Sequence, residues 1–294
     1  MGLNNILKFI RNHPLAGISG MQGLARFLRW QIGSRILQAP VIWPFVNDAR
    51  LIVQRGMSAA TGNLYVGLME FESMGFLLHY LRPGDVFFDI GANIGAYSVL
   101  AAKAAGATCL AVEPAKDAFE TLMDNIHLNR VGHLATGVNA GIGGSRGRLR
   151  FSTGLDTTNH VLGEGETGGK GIDVEIMTLD EAAGSLTPEI IKIDVEGYEW
   201  EVVAGGKKTF SQPGLNAVLM ELRGHGGRYG FDERAIDAGM RSSGFIPCSY
   251  DPLRRALSRE PEGRLGDMLY VRDLDKALRR VRTAPAFTVN GRRV

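Results

Sequence analysis

Asp85-Val86-Phe87-Phe88-Asp89-Ile90-Gly91-Ala92-Asn93-Ile94-Gly95 decides the fold. It reads as a short apolar strand that runs into a glycine turn and then into a helix. The strand ends on an acid, Asp89, and the turn carries Gly91 and Gly95 at a spacing of four. A second apolar run closes on Glu113, 22 residues after Gly91. A strand, a glycine turn, a helix and a second strand ending in an acid form a nucleoside-binding βαβ unit.

The alternation continues on both sides of this unit. Leu68, Phe71, Met74, Leu77, Leu78 and Leu81 predict a helix over 66–81, which Pro83-Gly84 stops. Strands are expected over 85–90, 108–113, 134–140, 190–195 and 215–222, with helices over about 95–105, 115–129 and 232–242. Repeated βα units mean a mostly parallel sheet with helices on both faces. Two late strands, at about 245–250 and 267–272, predict an antiparallel pair at one edge. Residues 141–171 break the rhythm with Gly163, Gly165, Gly168, Gly169 and Gly171. They read as two strands around a loop, which is either a lid over substrate or disordered.

Composition sets bounds. With 294 residues, 45% hydrophobic and 22% charged, the chain suits one large α/β domain with an appendage. A net charge of +2 gives no global field for nucleic acid. Residues 1–50 hold six cations against Asp48, a net +5, which leaves −3 for the rest. Leu24, Phe27, Leu28, Ile32 and Ile36 recur there at helical spacing, with Arg26, Arg29 and Arg35 between them. Two readings stay open: a basic amphipathic helix on a membrane surface or partner, or a helix packed on the main domain with a solvated basic face. Cys109 and Cys248 read as buried free thiols, which fits a cytoplasmic setting. No run of 18 apolar residues, secretory signal or myristoylation motif is expected. The expected division is a helical extension over 1–60, a catalytic domain over 61–275 and a basic tail over 276–294 that frays.

The turn discriminates between nucleosides. Aligned on Gly91, the second glycine of a dinucleotide fingerprint falls on Asn93. That glycine lets the backbone approach a pyrophosphate, and Asn93 does not replace it. S-adenosylmethionine has no pyrophosphate, and Glu113 can take both ribose hydroxyls, since a carboxylate accepts two bonds side by side. An NAD-type oxidoreductase and a non-catalytic cofactor-binding protein are the alternatives.

Asp89-Ile90-Gly91-Ala92-Asn93-Ile94-Gly95-Ala96-Tyr97-Ser98, Val112-Glu113-Pro114, Asn125, Leu128-Asn129, Thr178-Leu179-Asp180 and Ile191-Lys192-Ile193-Asp194-Val195-Glu196-Gly197-Tyr198-Glu199 follow in order. Together they resemble the FkbM family of S-adenosylmethionine-dependent methyltransferases, over about residues 65–222. The resemblance implies a class I methyltransferase fold, with a Rossmann-like sheet, and methyl transfer to a hydroxyl of a sugar, glycan or polyketide-like metabolite.

Methyl transfer from a sulfonium is an in-line displacement, so positioning matters most, and a general base helps an alcohol lose its proton. Ligands of open α/β sheets bind at the carboxyl ends of the strands. Candidate cofactor residues are therefore Asp89, Gly91, Ala92, Asn93, Gly95, Ser98, Glu113, Pro114, Asn139 and Asp194. Candidate catalytic residues are Asp194, Glu196 and His225, with Glu221 nearby. Lys192 shares the parity of Asp194 and either pairs with it or faces solvent. His160, in the glycine-rich loop with Asp156 and Asn159, is either an ordinary loop residue or a further substrate contact. Trp200 is expected in the core. No metal is expected, because no ligand spacing such as H-x-x-x-H occurs.

Overall fold

The computed structural model describes residues 2–16, 20–152, 154, 159–163 and 171–294. Two helices, α1 (Leu3–Asn12) and α2 (Met21–Ile36), precede a hairpin of β1 (Val41–Pro44) and β2 (Arg50–Val53). Helices α3 (Ser58–Val66) and α4 (Phe71–Tyr80) follow, so the periodic run expected over 66–81 holds one helix that begins later. The central unit is β3 (Val86–Ile90), α5 (Ala96–Val99, continued by a π-helical turn), β4 (Thr108–Val112), α6 (Lys116–Leu128) and β5 (Ala135–Val138). A small sheet of β6 (Gly141–Ile142), β7 (Gly147–Ser152) and β8 (Gly171–Met177) interrupts it. The main sheet resumes through α7 (Leu179–Ala183), β9 (Ile190–Ile193), α8 (Glu199–Ala204), α9 (Lys207–Ser211), β10 (Ala217–Leu222) and α10 (Glu233–Ser242). It ends with β11 (Ile246–Asp251), β12 (Ala256–Arg259) and β13 (Gly266–Val271), followed by α11 (Leu274–Arg282), β14 (Thr288–Val289) and β15 (Arg292–Arg293).

The eight-stranded sheet runs β12-β11-β13-β10-β9-β3-β4-β5. Pairings from β10 to β5 are parallel, and β13 is antiparallel to both of its neighbours. This is the expected class I methyltransferase sheet, with one refinement: β13 inserts between β10 and β11, and β12 adds an outer strand. Successive residues point to opposite faces of a strand. Phe87, Cys109 and Ile190 accordingly join one apolar cluster, and Phe88, Leu110 and Ile191 the other. Asp89 and Lys192 continue the first parity and are partners in the β3–β9 register. One acid and one cation thus lie side by side, buried, at the carboxyl end of the sheet.

The tail does not fray, contrary to expectation. Asp273 caps α11 through Lys276 N, and Val281, Phe287, Val289 and Val294 are buried. Val289 bridges to Val46 of the N-terminal hairpin region. The apolar residues between the arginines made the difference: Arg280 pairs with Asp85 and donates to the Tyr80 carbonyl, while Ala277 and Val281 turn inward. The hairpin is stitched to the main domain by two asparagines. Asn125 accepts from Ile52 N (2.8 Å) and donates to Ile94 O (2.8 Å), so it spans the hairpin and the glycine turn. Asn129 exchanges two bonds of 2.8 Å with the Arg50 backbone. Trp200 is also corrected: it is 40% exposed and stacks on Phe231 at the surface.

Candidate active site

The glycine turn is built for close approach. Gly91 (φ 78°) and Gly95 (φ 83°) lie in the left-handed region, and a Cβ on Gly91 would collide with the Asp194 carbonyl oxygen. Asn93 is also left-handed (φ 49°), and its Oδ1 accepts from Ile94 N at 2.8 Å. Asparagine tolerates that conformation better than most residues. Its side chain closes the turn on itself, where a dinucleotide site would leave the backbone bare. Glu113, 6% exposed, accepts from Asn93 N (2.8 Å) and Ala115 N (2.9 Å), one bond on each oxygen. Each oxygen keeps a second acceptor direction. Burial pushes this carboxyl up to about 7.

A cavity of about 950 Å³ opens beside the turn. Of the sequence-predicted cofactor residues, Gly91, Ala92, Asn93, Glu113, Pro114 and Asp194 line it. Asp89, Gly95, Ser98 and Asn139 do not line it. Ser98 Oγ donates to Asp89 Oδ2 (2.6 Å), and both are buried. Asp89 Oδ1 has no hydrogen-bond partner among the described residues, and burial raises this carboxyl. Asn139 Nδ2 donates to the carbonyls of Glu113 (2.8 Å) and Pro114 (3.1 Å) and fixes the loop after β4. Ala118, Ala140 and Ile142 give the cavity an apolar wall near Glu113.

The opposite wall carries charge. Lys192 Nζ donates to Asp194 Oδ2 at 2.8 Å and sits 4.9 Å from the centre of the Tyr97 ring. Burial opposes the charge on Lys192, but Asp194, Glu70 and Asp89 outweigh it and hold the ammonium above its ordinary range. Burial likewise opposes the charge on Asp194, and Lys192 and Glu221 overcome that to hold it below the usual carboxylate range. Glu221 is pushed up to about 9 by burial and by Asp194. Asp194, Glu196 and Glu221 bring carboxylate oxygens within 4.8 Å of one another. The three come from a loop and a neighbouring strand, so no spacing in the sequence announces them. Such a set could hold a divalent cation, although Lys192, His225 and Arg223 already partner its members.

Glu196 occupies a left-handed position (φ 56°) and its Oε2 lies 2.9 Å from His225 Nδ1. Burial and then Asp194 raise the Glu196 carboxyl. A Cβ on Gly197 would strike the His225 carbonyl, so the two loops pack backbone to backbone. Glu196 and His225 both line the cavity, and His225 remains 43% exposed at its side chain. His160 is buried and does not line the cavity, although Asn159 and Val161 do. Asp156, Gly165, Gly168 and Gly169 lie outside the described residues.

Three acids were missed by sequence reasoning. Glu199 is buried and accepts from Gly197 N (3.1 Å) and Val195 N (3.4 Å), which holds the Asp194–Gly197 loop; burial raises it to about 7. Glu233 accepts from Gly224 N (2.7 Å) and Gly226 N (3.0 Å) and clamps the loop that carries His225. Glu70 accepts from the Tyr97 hydroxyl (2.6 Å) in the cavity wall. Glu199 stands in the motif block and Glu233 opens a helix after a glycine loop, which were the available signals. Glu70 gave none, because it reaches the site through tertiary packing.

These raised carboxyls predict how stability depends on pH. A carboxyl with a raised folded-state pKa favours folding below its unfolded value, and that contribution is lost as pH rises through the folded value. His13 and His79, lowered by burial to about 4, act in the opposite sense, but only below their ordinary range. Between about pH 6.5 and 9, Glu113, Glu199 and Glu221 therefore set the slope. The melting temperature of the cofactor-free protein should fall by at least about 5 °C across that window. A flat or rising profile by calorimetry would contradict the burial of these acids.

Comparison with known proteins matches the sequence to a family. Residues 89–247 match the methyltransferase FkbM domain, so the match begins later than the resemblance read over about 65–222 and ends later, at the start of β11. The chain is 29% identical over 156 residues to the hexuronic acid methyltransferase AglP of Haloferax volcanii, covering 52% of this chain and 62% of that protein. It is 28% identical over 206 residues to the 31-O-demethyl-FK506 methyltransferase FkbM of Streptomyces tacrolimicus, covering 59% of this chain and 77% of that one. The chain thus spans less than two thirds of the Haloferax protein. A solved structure of methyltransferase FkbM from Methylobacillus flagellatus superposes with a TM-score of 0.45 and 15% identity, over 73% of this chain and 55% of that chain. By the domain match over more than half of its length, the chain belongs to the FkbM family of methyltransferases, with S-adenosylmethionine as its methyl donor.

Proposed function

We propose that this methyltransferase is an O-methyltransferase that acts on a hydroxyl of a sugar or small secondary metabolite. The observation that carries the reading is the Glu196–His225 pair, joined at 2.9 Å in the wall of the cofactor cavity. An alcohol acceptor must lose a proton, and a positioned imidazole is the side chain best poised to take it near neutrality. With its Nδ1–H donated to Glu196 Oε2, the neutral ring presents Nε2 as the acceptor of that proton. Asp194 is poorly suited to the task, since Lys192 holds it ionised and weakly basic.

The cofactor supplies an electrophilic methyl group on a sulfonium. Glu70, Glu113, Asp194, Glu196, Glu221 and Asp267 line the cavity against Lys192, Arg223 and Arg264. Glu113 would take the ribose hydroxyls through its remaining acceptor directions, the apolar wall at Ala118, Ala140 and Ile142 would take the purine, and Gly91 would admit the methionine chain. One relative is named for a hexuronic acid and the other for a 31-O-demethyl compound, and both names fit an oxygen acceptor.

Two measurements test this. Incubation with methyl-labelled S-adenosylmethionine and glycan, lipid and small-molecule extracts should give a labelled product whose mass spectrum places the methyl on oxygen; label on nitrogen or carbon would refute the reading. Glu113→Ala should weaken S-adenosylmethionine at least about a hundredfold by calorimetry, because it strands two buried N–H groups and removes the ribose acceptor. Unchanged affinity would remove Glu113 from the cofactor site.

A further inference from the structure

Helix α2 is apolar on two opposite faces, and the fold covers only one of them. Gly23, Phe27, Trp30 and Ser34 are buried. Gly23 packs against Ile10 of α1, and the Arg26 side chain reaches the Tyr65 carbonyl at 2.8 Å. At 3.6 residues per turn, Met21, Ala25, Leu28, Ile32 and Ile36 fall on the far side. Leu28 is 58% exposed, Ile32 63% and Ile36 75%, and Leu37 and Ile42, after the helix, are exposed too. Seven of the ten large hydrophobic residues exposed among the described residues belong to residues 3–42. A helix that is hydrophobic all round is ordinarily buried on all sides. Five apolar side chains in a line on an open face call for a covering phase.

The charges say which phase. Arg29 and Arg35 fall at the two edges of the exposed stripe, and both are exposed. Lys8 and Arg11 are exposed on the adjoining helix α1. Residues 1–47 contain five cations and no Asp or Glu. We infer that this face docks on an anionic lipid bilayer, with the α2 stripe in the acyl boundary and the arginines at the phosphates. An apolar stripe edged by cations is the pattern of a helix lying in the membrane interface, and long basic side chains reach from apolar surface to charge. No described helix is long and apolar enough to cross a membrane, so the contact is peripheral. A second copy of the chain fits less well, because a two-fold contact of this face would set its own arginines against each other. The docked unit also belongs to the cavity: α1 packs on α2 and contributes Ile6 and Phe9 to the cavity wall.

The test is flotation of the full chain with vesicles of equimolar phosphatidylcholine and phosphatidylglycerol, beside vesicles of phosphatidylcholine alone. The protein should float with the anionic vesicles, and less so at high salt. Arg29→Gln and Arg35→Gln should each lower the partition coefficient about fivefold. The double variant Leu28→Glu/Ile32→Glu should lower it on the order of a hundredfold, with unchanged S-adenosylmethionine affinity to show that it folds. Wild-type protein that stays behind, or that binds neutral vesicles equally, overturns the proposal. So does a concentration-dependent dimer that the double variant abolishes while no vesicle binding is found, which would give the face to a second copy.

Discussion

A His225→Ala enzyme should bind S-adenosylmethionine as tightly as the wild type and turn over about a thousandfold more slowly. The side chain is half-exposed at the cavity mouth and its partner is the Glu196 carboxyl. The loss should fall on kcat, because proton removal stabilises the transition state and not the bound cofactor. Added imidazole should restore part of the rate, which a purely structural defect would not allow. Glu196→Gln should likewise lower kcat and not cofactor affinity, since the amide no longer fixes the tautomer of the ring or offsets its charge. Full activity in His225→Ala would leave the loop histidine without a catalytic role and return the question to the acids.

Much of this site was legible in the sequence because it lies at strand ends. Gly91, Glu113 and Asp194 each close an apolar run or follow one directly, and the rule for open α/β sheets then brings them to one edge. The Asp194–Glu196 block was also visible, but its partner was less so. His225 stands in a glycine-rich loop, and it is tertiary packing, with Gly197 passing close to its carbonyl and Glu196 reaching its ring, that pairs the two loops. Ser98 and Asn139 were assigned by position after the turn and after β5, yet their hydrogen bonds are spent on Asp89 and on the Glu113 loop. Periodicity places such residues near a site without saying whether they face it.

The N-terminal region was read least well, for a related reason. Leu24, Phe27, Leu28, Ile32 and Ile36 look like one stripe in a list, but Phe27 is buried while Leu28, Ile32 and Ile36 are exposed. Two apolar faces on one helix cancel in any single-stripe reading. The tail misled in the opposite direction. Its arginines suggested a solvated end, whereas Arg280 is committed to Asp85 and the Tyr80 carbonyl, and the valines between hold the segment down.

The glycine turn after β3 also carries the largest expected loss of stability. Gly91→Ala should lower the melting temperature by about 10 °C and abolish the thermal shift that S-adenosylmethionine gives the wild type. The left-handed conformation alone costs an alanine about 1–2 kcal/mol. The larger cost is steric, because the new Cβ meets the Asp194 backbone carbonyl and not a movable side chain. Relief requires the ends of β3 and β9 to separate. That motion strains the bonds from Asp194 N to Ile90 O and from Gly91 N to Val112 O, each 3.0 Å, and about 4–5 kcal/mol in total is reasonable for a buried backbone collision. At roughly 2–4 °C per kcal/mol this gives the stated shift. Gly95→Ala is the internal control. Its φ is similar, but its Cβ would meet first the end of the Leu122 side chain, which can move. It should cost less than half as much. If the two variants melt together, the left-handed backbone alone accounts for both glycines, and the contact between the turn and the Asp194 loop does not set the geometry of the cofactor wall.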